Sequence, residues 1–249
     1  MELKAFFEGN PKVALAFSGG VDSSYLLYAA RESGARVKAY FVKTMFQPRF
    51  ELEDAKKLVN ELGAELEVLE ADILTDQRVT GNDPLRCYYC KQAIFSGIIR
   101  RAAADGYPLV IDGSNASDDA GDRPGMRALR ELGVRSPLRD AGLTKAQIRE
   151  LSKKAGLFTW SKPAYACLAT RIRTGDKITR EILERLEAAE DRLFGLGFTD
   201  FRVRVRDGND ARLEIPEGQM AAVFEKRREI YDSLSKYFGT VTLDLSGKR

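Results

Sequence analysis

A glycine- and serine-rich segment, SGGVDSS, begins at Ser18 directly after the short apolar run KVALAF. The side chains that follow are apolar at helical spacing, so the segment lies where a strand passes into a helix. The first N–H groups of a helix have no partner within it and carry a partial positive charge. Glycine lets the backbone approach an anion closely, and serine adds hydroxyl donors. The pattern predicts a phosphate-binding loop with the candidate ligands Ser18, Gly19, Gly20, Ser23 and Ser24.

Asp22 lies inside this segment. Its carboxylate would repel phosphate unless a Mg²⁺ ion lay between them. We therefore expect Mg²⁺ beside the bound phosphate, with Asp22 as a catalytic residue that holds the metal. A glycine turn before a helix is also common as a simple connection. The full string SGGVDS is more specific than its glycines alone.

A second polar loop, GSNASDDAGDRPG, follows the apolar run that ends at Asp112. In an open parallel sheet, ligands bind at the edge where the strands end. We expect this loop to lie near the phosphate-binding loop, although the same residue types also suit ordinary turns. Its candidate ligands for the phosphate compound and Mg²⁺ are Gly113, Ser114 and Asp118, and Asp122 and Arg123 are expected to organise the loop.

Three cysteines and the absence of histidine limit the possible metal chemistry. Cys87 and Cys90 have CxxC spacing in RCYYCK, and Cys167 lies in ACLATR. A structural zinc site normally needs four protein ligands, whereas three thiolates with an open corner fit a [4Fe-4S] cluster. A persulfidic or sacrificial Cys167, a redox pair, a zinc site and an inert buried pair are alternative interpretations.

Arg202, Arg204 and Arg206 recur at spacing two, so a strand would place all three on one face. Arg212 and Glu214 follow in the next predicted strand. Arginine binds phosphate and carboxylate groups in a bidentate manner, so this face is a candidate acceptor site. A solvated basic strand face is the alternative.

The apolar periodicity predicts alternating strands and helices over the first part of the chain. Strands are expected at 12–17, 36–42, 65–69 and 109–112, and helices after 20, at 51–62 and at 143–154, the last with a Thr144–Gln147 capping box. This order predicts an α/β fold with a doubly wound parallel sheet. A helix at 180–193, strands at 201–206 and 211–215, a helix near Pro216 and a last strand predict a small α+β domain. We expect the domains to span residues 1–176 and 177–249.

The charge balance is nearly even, with 40 Lys and Arg against 37 Asp and Glu. A net charge of +3 gives no overall nucleic-acid signature. Apolar runs stay well short of the roughly 20 residues of a membrane span, and the N-terminal residues lack a signal-peptide layout. We expect a cytoplasmic homo-oligomer that acts on a small molecule and binds neither membrane nor nucleic acid.

The string SGGVDS resembles the PP-loop of ATP pyrophosphatases, which split ATP between the α and β phosphates and adenylate a substrate oxygen. Together with RCYYCK, DGSNASDD and KPAYACLATR, it resembles the LarE-type sulfur transferases over nearly the whole chain. The resemblance implies the adenine nucleotide α-hydrolase-like fold. It also implies conversion of a carboxylate of a pyridinium dicarboxylate mononucleotide to a thiocarboxylate, in nickel-pincer nucleotide biosynthesis.

The resemblance also implies roles for individual residues. Cys167 is the expected sulfur centre, and all three cysteines together suggest the cluster-bearing type, which takes sulfide or another sulfur donor. Asp118 is implied in nucleotide and Mg²⁺ contact. The implied substrate residues are Arg171, Glu190, Arg202, Arg204, Arg206, Arg212 and Glu214.

Two other functions remain open. A PP-loop tRNA thiolation enzyme shares adenylation and thiol chemistry, although the basic residues here alternate with acidic ones. The second alternative is a non-catalytic iron–sulfur or zinc protein, in which SGGVDS is only a turn.

Overall fold

A computed structural model describes residues 2–118 and 123–248 of the chain. Asp122 lies outside the described residues. By their contacts, the chain divides into two compact units: Met1–Ile73 with Leu85–Lys162, and Leu74–Pro84 with Pro163–Arg249. The predicted boundary near residue 176 falls inside the second unit. None of the described helices is long and apolar enough to cross a membrane.

The first unit is built on a four-stranded parallel sheet. Its elements in chain order are α1 (Leu3–Gly9), β1 (Lys12–Ala16), α2 (Val21–Glu32), β2 (Arg36–Lys43), α3 (Arg49–Glu61) and β3 (Glu65–Glu70). After the excursion into the second unit, where α4 (Gln77–Thr80) lies, come α5 (Arg86–Ala104), β4 (Val110–Ile111), α6 (Pro124–Glu131), α7 (Pro137–Asp140) and α8 (Lys145–Lys154). A 3-10 turn at Phe158–Ser161 follows α8.

The strand order β3-β2-β1-β4 and the parallel pairing confirm the predicted α/β sheet. Helices cover both faces because consecutive strand residues point to opposite sides. Leu15 of β1 packs in one core cluster with Leu27 of α2 and Leu58 of α3. Ala14 packs in the other cluster with Ile98 of α5 and Leu129 of α6. The sheet is therefore doubly wound, and its order reverses between β1 and β4.

The second unit contains a three-stranded sheet of order β5-β6-β7. Its elements are α9 (Arg180–Gly195), β5 (Arg202–Arg206), β6 (Asp210–Glu214), α10 (Met220–Glu225), α11 (Arg227–Leu234) and β7 (Thr240–Leu243). A hairpin joins β5 and β6, and Asp207 and Gly208 in its turn both have positive φ angles of 47° and 75°. Two successive positive φ angles are typical of the tight turn that DG sequences favour.

The segment 74–84 belongs to the second unit, where the buried Asn82 hydrogen-bonds to backbone groups of residues 173–176. Its Nδ2 donates to the carbonyl oxygens of Arg173 (2.9 Å) and Asp176 (3.1 Å). The Gly175 N–H donates in return to the carbonyl of Asn82 at 2.9 Å. Local sequence patterns do not indicate this pairing, since the partners are about ninety residues apart.

A partly buried ion network ties the C-terminal end of α5 to the sheet. Lys38 Nζ lies 2.6 Å from both Glu67 Oε2 of β3 and Asp105 Oδ2. The Tyr40 hydroxyl donates to the same Asp105 oxygen at 2.8 Å. These two hydrogen bonds, from Lys38 first and Tyr40 second, lower the pKa of Asp105 to about 2.

We predict that Asp105→Asn destabilises the first unit at neutral pH and that the difference from wild type shrinks in acid. A carboxyl whose pKa is lowered in the folded state stabilises that state above its unfolded pKa of 3.8. The stabilisation is lost as the pH falls from 3.8 towards 2. Urea unfolding from pH 7 to pH 3 measures this difference. Glu65→Gln, at an exposed position of β3, is the matched control, and a difference that does not depend on pH would contradict the assignment.

Candidate functional site

The glycine loop connects β1 to α2 at the point where the sheet order reverses. Gly19 has a φ of +71°, and a Cβ at this position would lie 3.3 Å from the backbone of Ala55 in α3. Gly20 is the N-cap of α2 and forms no side-chain cap. The positive end of α2 therefore faces the crevice beyond the strand ends, which is where open α/β sheets bind ligands.

The serine hydroxyls of the loop differ in their surroundings. Ser23 Oγ accepts from the Ser18 N–H at 3.3 Å, donates to the Gly20 carbonyl at 3.1 Å and lies 3.2 Å from Ser18 Oγ. These contacts close the loop. Ser24 is fully buried, and its hydroxyl has no hydrogen-bond partner among the described residues. The predicted phosphate contact of Ser24 stays a prediction.

The loop after β4 lies directly against the glycine loop. A Cβ added at Gly113 would lie only 2.9 Å from the Ser23 backbone nitrogen, so only glycine fits there without a shift. The buried Asp112 anchors this approach, because its two oxygens accept from the hydroxyls of Ser114 (2.5 Å) and Ser136 (2.6 Å). Two backbone segments thus meet at the end of α2, and this arrangement fits a phosphate chain.

Asp118 and Asn115 shape the rest of this loop. Asp118 Oδ2 accepts from the Asn115 N–H at 2.8 Å, and Asn115 Oδ1 accepts from the Ser117 N–H at 2.8 Å. Asn115 Nδ2 also donates to Asp22 Oδ1 at 3.3 Å. The structure therefore brings the predicted loop residues next to Asp22, while the metal contact of Asp118 stays a prediction.

Lys145 is a site residue that the sequence interpretation missed. Its Nζ lies 2.5 Å from Asp22 Oδ2, and its backbone N–H donates to Ser117 Oγ at 2.9 Å. Thr144, before it, caps α8 with the predicted capping box to Gln147. A cation in the first turn of a helix is the sequence signal that was available, because the helix dipole disfavours it there.

Cys87 and Cys90 lie in the first turn of α5, three residues apart and so on one side of the helix. Cys87 is exposed, Cys90 is half-buried, and neither forms a disulfide. Packing against α6 fixes this turn: the hydroxyl of Tyr88 donates to Glu131 Oε2 at 2.6 Å, and the Arg127 guanidinium lies 4.4 Å from the Tyr88 ring centre. The two thiols are therefore held by a rigid helix pair.

Cys167 lies in the second unit at the N-terminal end of a 3-10 turn, Leu168–Arg171. Its carbonyl accepts from the N–H and the hydroxyl of Thr170, at 2.9 and 2.8 Å. The thiol is half-buried and forms no disulfide. Within residues 2–118 and 123–248, no three Cys, Asp or Glu side chains lie together in a group that could hold a metal ion.

A buried ion pair between Arg171 and Glu190 packs against the segment that carries Cys167, which is called the cysteine segment below. Arg171 and Glu190 are each 1% exposed, and Arg171 Nε and Nη2 donate to Glu190 Oε1 and Oε2 at 2.8 and 3.2 Å. Glu190 also accepts from the Val203 N–H at 3.0 Å and from the Tyr165 hydroxyl. Arg171 Nη1 donates to the carbonyl of Ala166, beside Cys167, at 3.2 Å. Burial lowers the pKa of Arg171, but Glu190 outweighs this and raises it above its usual value.

Both members of this pair are predicted substrate residues. The structure buries both side chains in the second unit instead of exposing them on its surface. Their charges are satisfied within the second unit. The arrangement supports a positioning role, and their direct substrate contact stays a prediction.

The arginine face lies on β5 and β6. Val203 and Val205 are buried, so Arg202, Arg204 and Arg206 share the other face, as the alternation predicts. Burial, followed by the positive charges of Arg171 and Arg204, lowers the pKa of Arg202. Several positive charges therefore lie close together on this face.

Glu214 organises the arginines of this face. Its Oε1 accepts from Arg204 Nε and Arg212 Nη2, both at 2.7 Å. Arg204 also donates to the Thr170 carbonyl at 2.8 Å, which links the arginine face to the cysteine segment. A hollow of about 180 Å³ lies here and is lined by Ile172, Arg173, Arg204, Val205, Arg206, Arg212 and Glu214. Its size and charge suit a small anionic group.

Comparisons with known proteins decide the family. A family model described as "Queuosine biosynthesis protein QueC" matches residues 12–82, which include the glycine loop. The chain is 36% identical over 245 residues to the pyridinium-3,5-bisthiocarboxylic acid mononucleotide synthase of Lactiplantibacillus plantarum, covering 96% of this chain and 87% of the synthase. The chain belongs to the family of this synthase, LarE. The predicted LarE resemblance and the predicted class of enzyme, a PP-loop ATP-dependent sulfurtransferase, are thereby confirmed.

Other relatives are consistent with LarE membership. An uncharacterized protein of Synechocystis sp. is 35% identical over 98% of this chain and 92% of its own length. A tRNA-specific 2-thiouridylase of Pseudothermotoga lettingae is 28% identical, over 61% of this chain and 54% of its own length. The LarE-type match therefore extends through both compact units.

We predict that Glu190→Gln destabilises the second unit by about 3 kcal/mol, because it leaves the Arg171 charge buried without its counter-ion. Urea unfolding at neutral pH measures the loss. Glu184→Gln, on the exposed face of the same helix, is the control and should change stability by less than about 0.5 kcal/mol. Equal effects of the two variants would show that the ion pair does not stabilise the unit.

Proposed function

We propose that this enzyme adenylates a carboxylate of a pyridinium dicarboxylate mononucleotide and then replaces the activated oxygen with sulfur to give a thiocarboxylate. The relationship to a synthase of pyridinium-3,5-bisthiocarboxylic acid mononucleotide, over 96% of the chain, carries the proposal. The glycine loop, the N-terminus of α2 and Gly113 form a phosphate cradle in the first unit, which also carries Cys87 and Cys90. Cys167 and the arginine face lie in the second unit, and together these groups supply the chemistry that such a reaction needs.

The first unit supports the nucleotide half of the reaction. The substrate carboxylate oxygen forms a bond to the α-phosphorus of ATP, and the bond from that phosphorus to the bridging oxygen breaks with its electron pair leaving on pyrophosphate. The N-terminus of α2 and the backbone at Gly113 bind the phosphates and stabilise the charge on the leaving group. Asp22 and Asp118 are the residues that would hold Mg²⁺, together with the phosphates, and the ion would supply positive charge at these oxygens.

The second unit supports recognition of the acceptor. A mononucleotide with two ring carboxylates presents three anionic groups, and Arg202, Arg204 and Arg206 face one side of β5. Glu214 fixes the guanidinium planes of Arg204 and Arg212, so these arginines bind carboxylate or phosphate oxygens without further ordering. The arginine face therefore selects an anionic acceptor.

Sulfur transfer completes the reaction at Cys167. A sulfide-level sulfur attacks the adenylated carbonyl carbon, and the carbon–oxygen bond to AMP breaks with its electrons leaving on AMP. The buried Arg171–Glu190 pair holds the segment that carries the thiol. We propose further that Cys87, Cys90 and Cys167 ligate a [4Fe-4S] cluster. The number of thiols and the position of Cys87 and Cys90 on one side of α5 support this set, while the grouping of three ligands is not present among the described residues.

A tRNA thiolation activity is the second candidate, because the match to a tRNA-specific 2-thiouridylase covers 61% of the chain. Such an enzyme would adenylate a base oxygen in place of a carboxylate. The near-even charge balance of 40 basic against 37 acidic side chains disfavours a large polyanionic partner.

We predict that ATP gives AMP and pyrophosphate with the pyridinium dicarboxylate mononucleotide and not with bulk tRNA. Asp22→Ala should lower pyrophosphate release at least about 100-fold, since it removes the metal ligand at the cleaved bond. Radiolabelled ATP with product separation measures both. AMP formation with tRNA alone would favour the second candidate, and full activity of a folded Asp22→Ala protein would remove Asp22 from the mechanism.

We predict that Cys87→Ala, Cys90→Ala and Cys167→Ala each lose iron and sulfur transfer together, because two thiolates are too few for the cluster. Iron and acid-labile sulfide are measured after anaerobic purification, and adenylation is measured in parallel and should persist. The polypeptide mass should be the same before and after turnover. Loss of activity in Cys167→Ala alone, with dehydroalanine at 167, would instead identify Cys167 as a consumed sulfur donor.

A further inference from the structure

Lys145 occupies a position that helix energetics disfavour. It is the first residue of α8, and the partial positive charge of a helix N-terminus repels a cation there. The capping box of Thr144 and Gln147 stabilises this end of the helix without any help from the lysine. Lys145 therefore goes against the usual charge preference of a helix N-terminus, and it does so beside the candidate site. Such exceptions are typical of residues with a role in a site.

A backbone hydrogen bond and the packing of α8 on α2 place the Lys145 ammonium beside the phosphate cradle. The Lys145 backbone N–H is fixed to Ser117 Oγ in the loop after β4, and α8 packs on α2 through the buried Ile148. The ammonium itself lies 2.5 Å from Asp22 Oδ2 in the first turn of α2. Lysine binds phosphate as a flexible point charge, and its four-carbon stem reaches several ångströms around a fixed Cα.

The pair is accessible enough to rearrange. The side chains of Lys145 and Asp22 are 34% and 21% exposed, so separating them does not strand a charge in a dry interior. Asp22 is also held through its other oxygen by Asn115 Nδ2. Asp22 therefore stays oriented when the lysine leaves.

We propose that Lys145 exchanges partners during the reaction: it pairs with Asp22 until a metal ion takes that carboxylate, and then binds the pyrophosphate oxygens. This inference rests on the proposed function. A divalent cation on Asp22 would repel the Lys145 ammonium, which would then bind the phosphate oxygens of the nucleotide as its opposite charge. The exchange adds a positive charge to the leaving group at the moment when the α–β bond breaks.

The exchange predicts effects of opposite sign for one substitution. Lys145→Met removes the ammonium that competes for Asp22 Oδ2, so metal alone should bind several-fold more tightly. The same variant lacks a pyrophosphate ligand, so metal pyrophosphate should bind about 10-fold or more weakly, a loss of about 1.4 kcal/mol. A purely structural role of Lys145 would weaken both in parallel.

Binding to the full-length protein, without turnover, tests this. Mn²⁺ is titrated by electron paramagnetic resonance, and Mn²⁺ with inorganic pyrophosphate by calorimetry. Lys145→Arg should keep the wild-type order of affinities. Lys154→Met, at the exposed far end of α8, is the matched control and should leave both affinities unchanged. Circular dichroism and thermal unfolding verify that each variant is folded.

The outcomes separate the two proposals. Any result for folded Lys145→Met other than tighter metal binding with weaker metal-pyrophosphate binding overturns the exchange. If wild type binds metal pyrophosphate and releases it from ATP, the proposed function stands even when the exchange fails. If wild type binds no metal pyrophosphate, both proposals are overturned.

Discussion

The parallel pairing of β1 with β4 is the constraint on which the nucleotide site depends. It places the loops that follow these two strands side by side, where the sheet order reverses. Gly113 then passes so close to the Ser23 nitrogen that a single methyl group would not fit. The cradle is therefore made largely of backbone, with the N-terminus of α2 packed directly against the loop at Gly113.

In the second unit, two carboxylates hold the Cys167 segment and several arginines at defined positions. A buried carboxylate at Glu190 neutralises Arg171 and also accepts from the backbone of β5 at Val203. Glu214 has the same role for Arg204 and Arg212. Such pairs are costly to desolvate, so their retention here fits a demand for geometry more than for stability. Acidic residues in this unit thus organise basic ones.

Much of the fold could be predicted because the relevant signals are local. Short apolar runs and helical spacing located the strands and helices around the glycine loop, and the Thr144 capping box marked the start of α8 correctly. The CxxC segment was not recognised as the start of a 19-residue helix, α5. Its first turn lacks a capping side chain and its polar, aromatic composition gives a weak pattern, so packing on α6 decides its structure.

The sequence by itself determined the chemical repertoire of this protein: a glycine loop for phosphate, three thiols without histidine, and an arginine strand. Only the tertiary structure decided which charges meet. Lys145 pairs with Asp22 from 123 residues away, and Asn82 contacts Arg173 from 91 residues away. Sequence periodicity indicates which face of a single helix or strand is buried in the core. Contacts such as Lys145–Asp22 depend instead on how separate elements pack against each other. That packing is fixed by the burial of the whole core, and no local pattern encodes it.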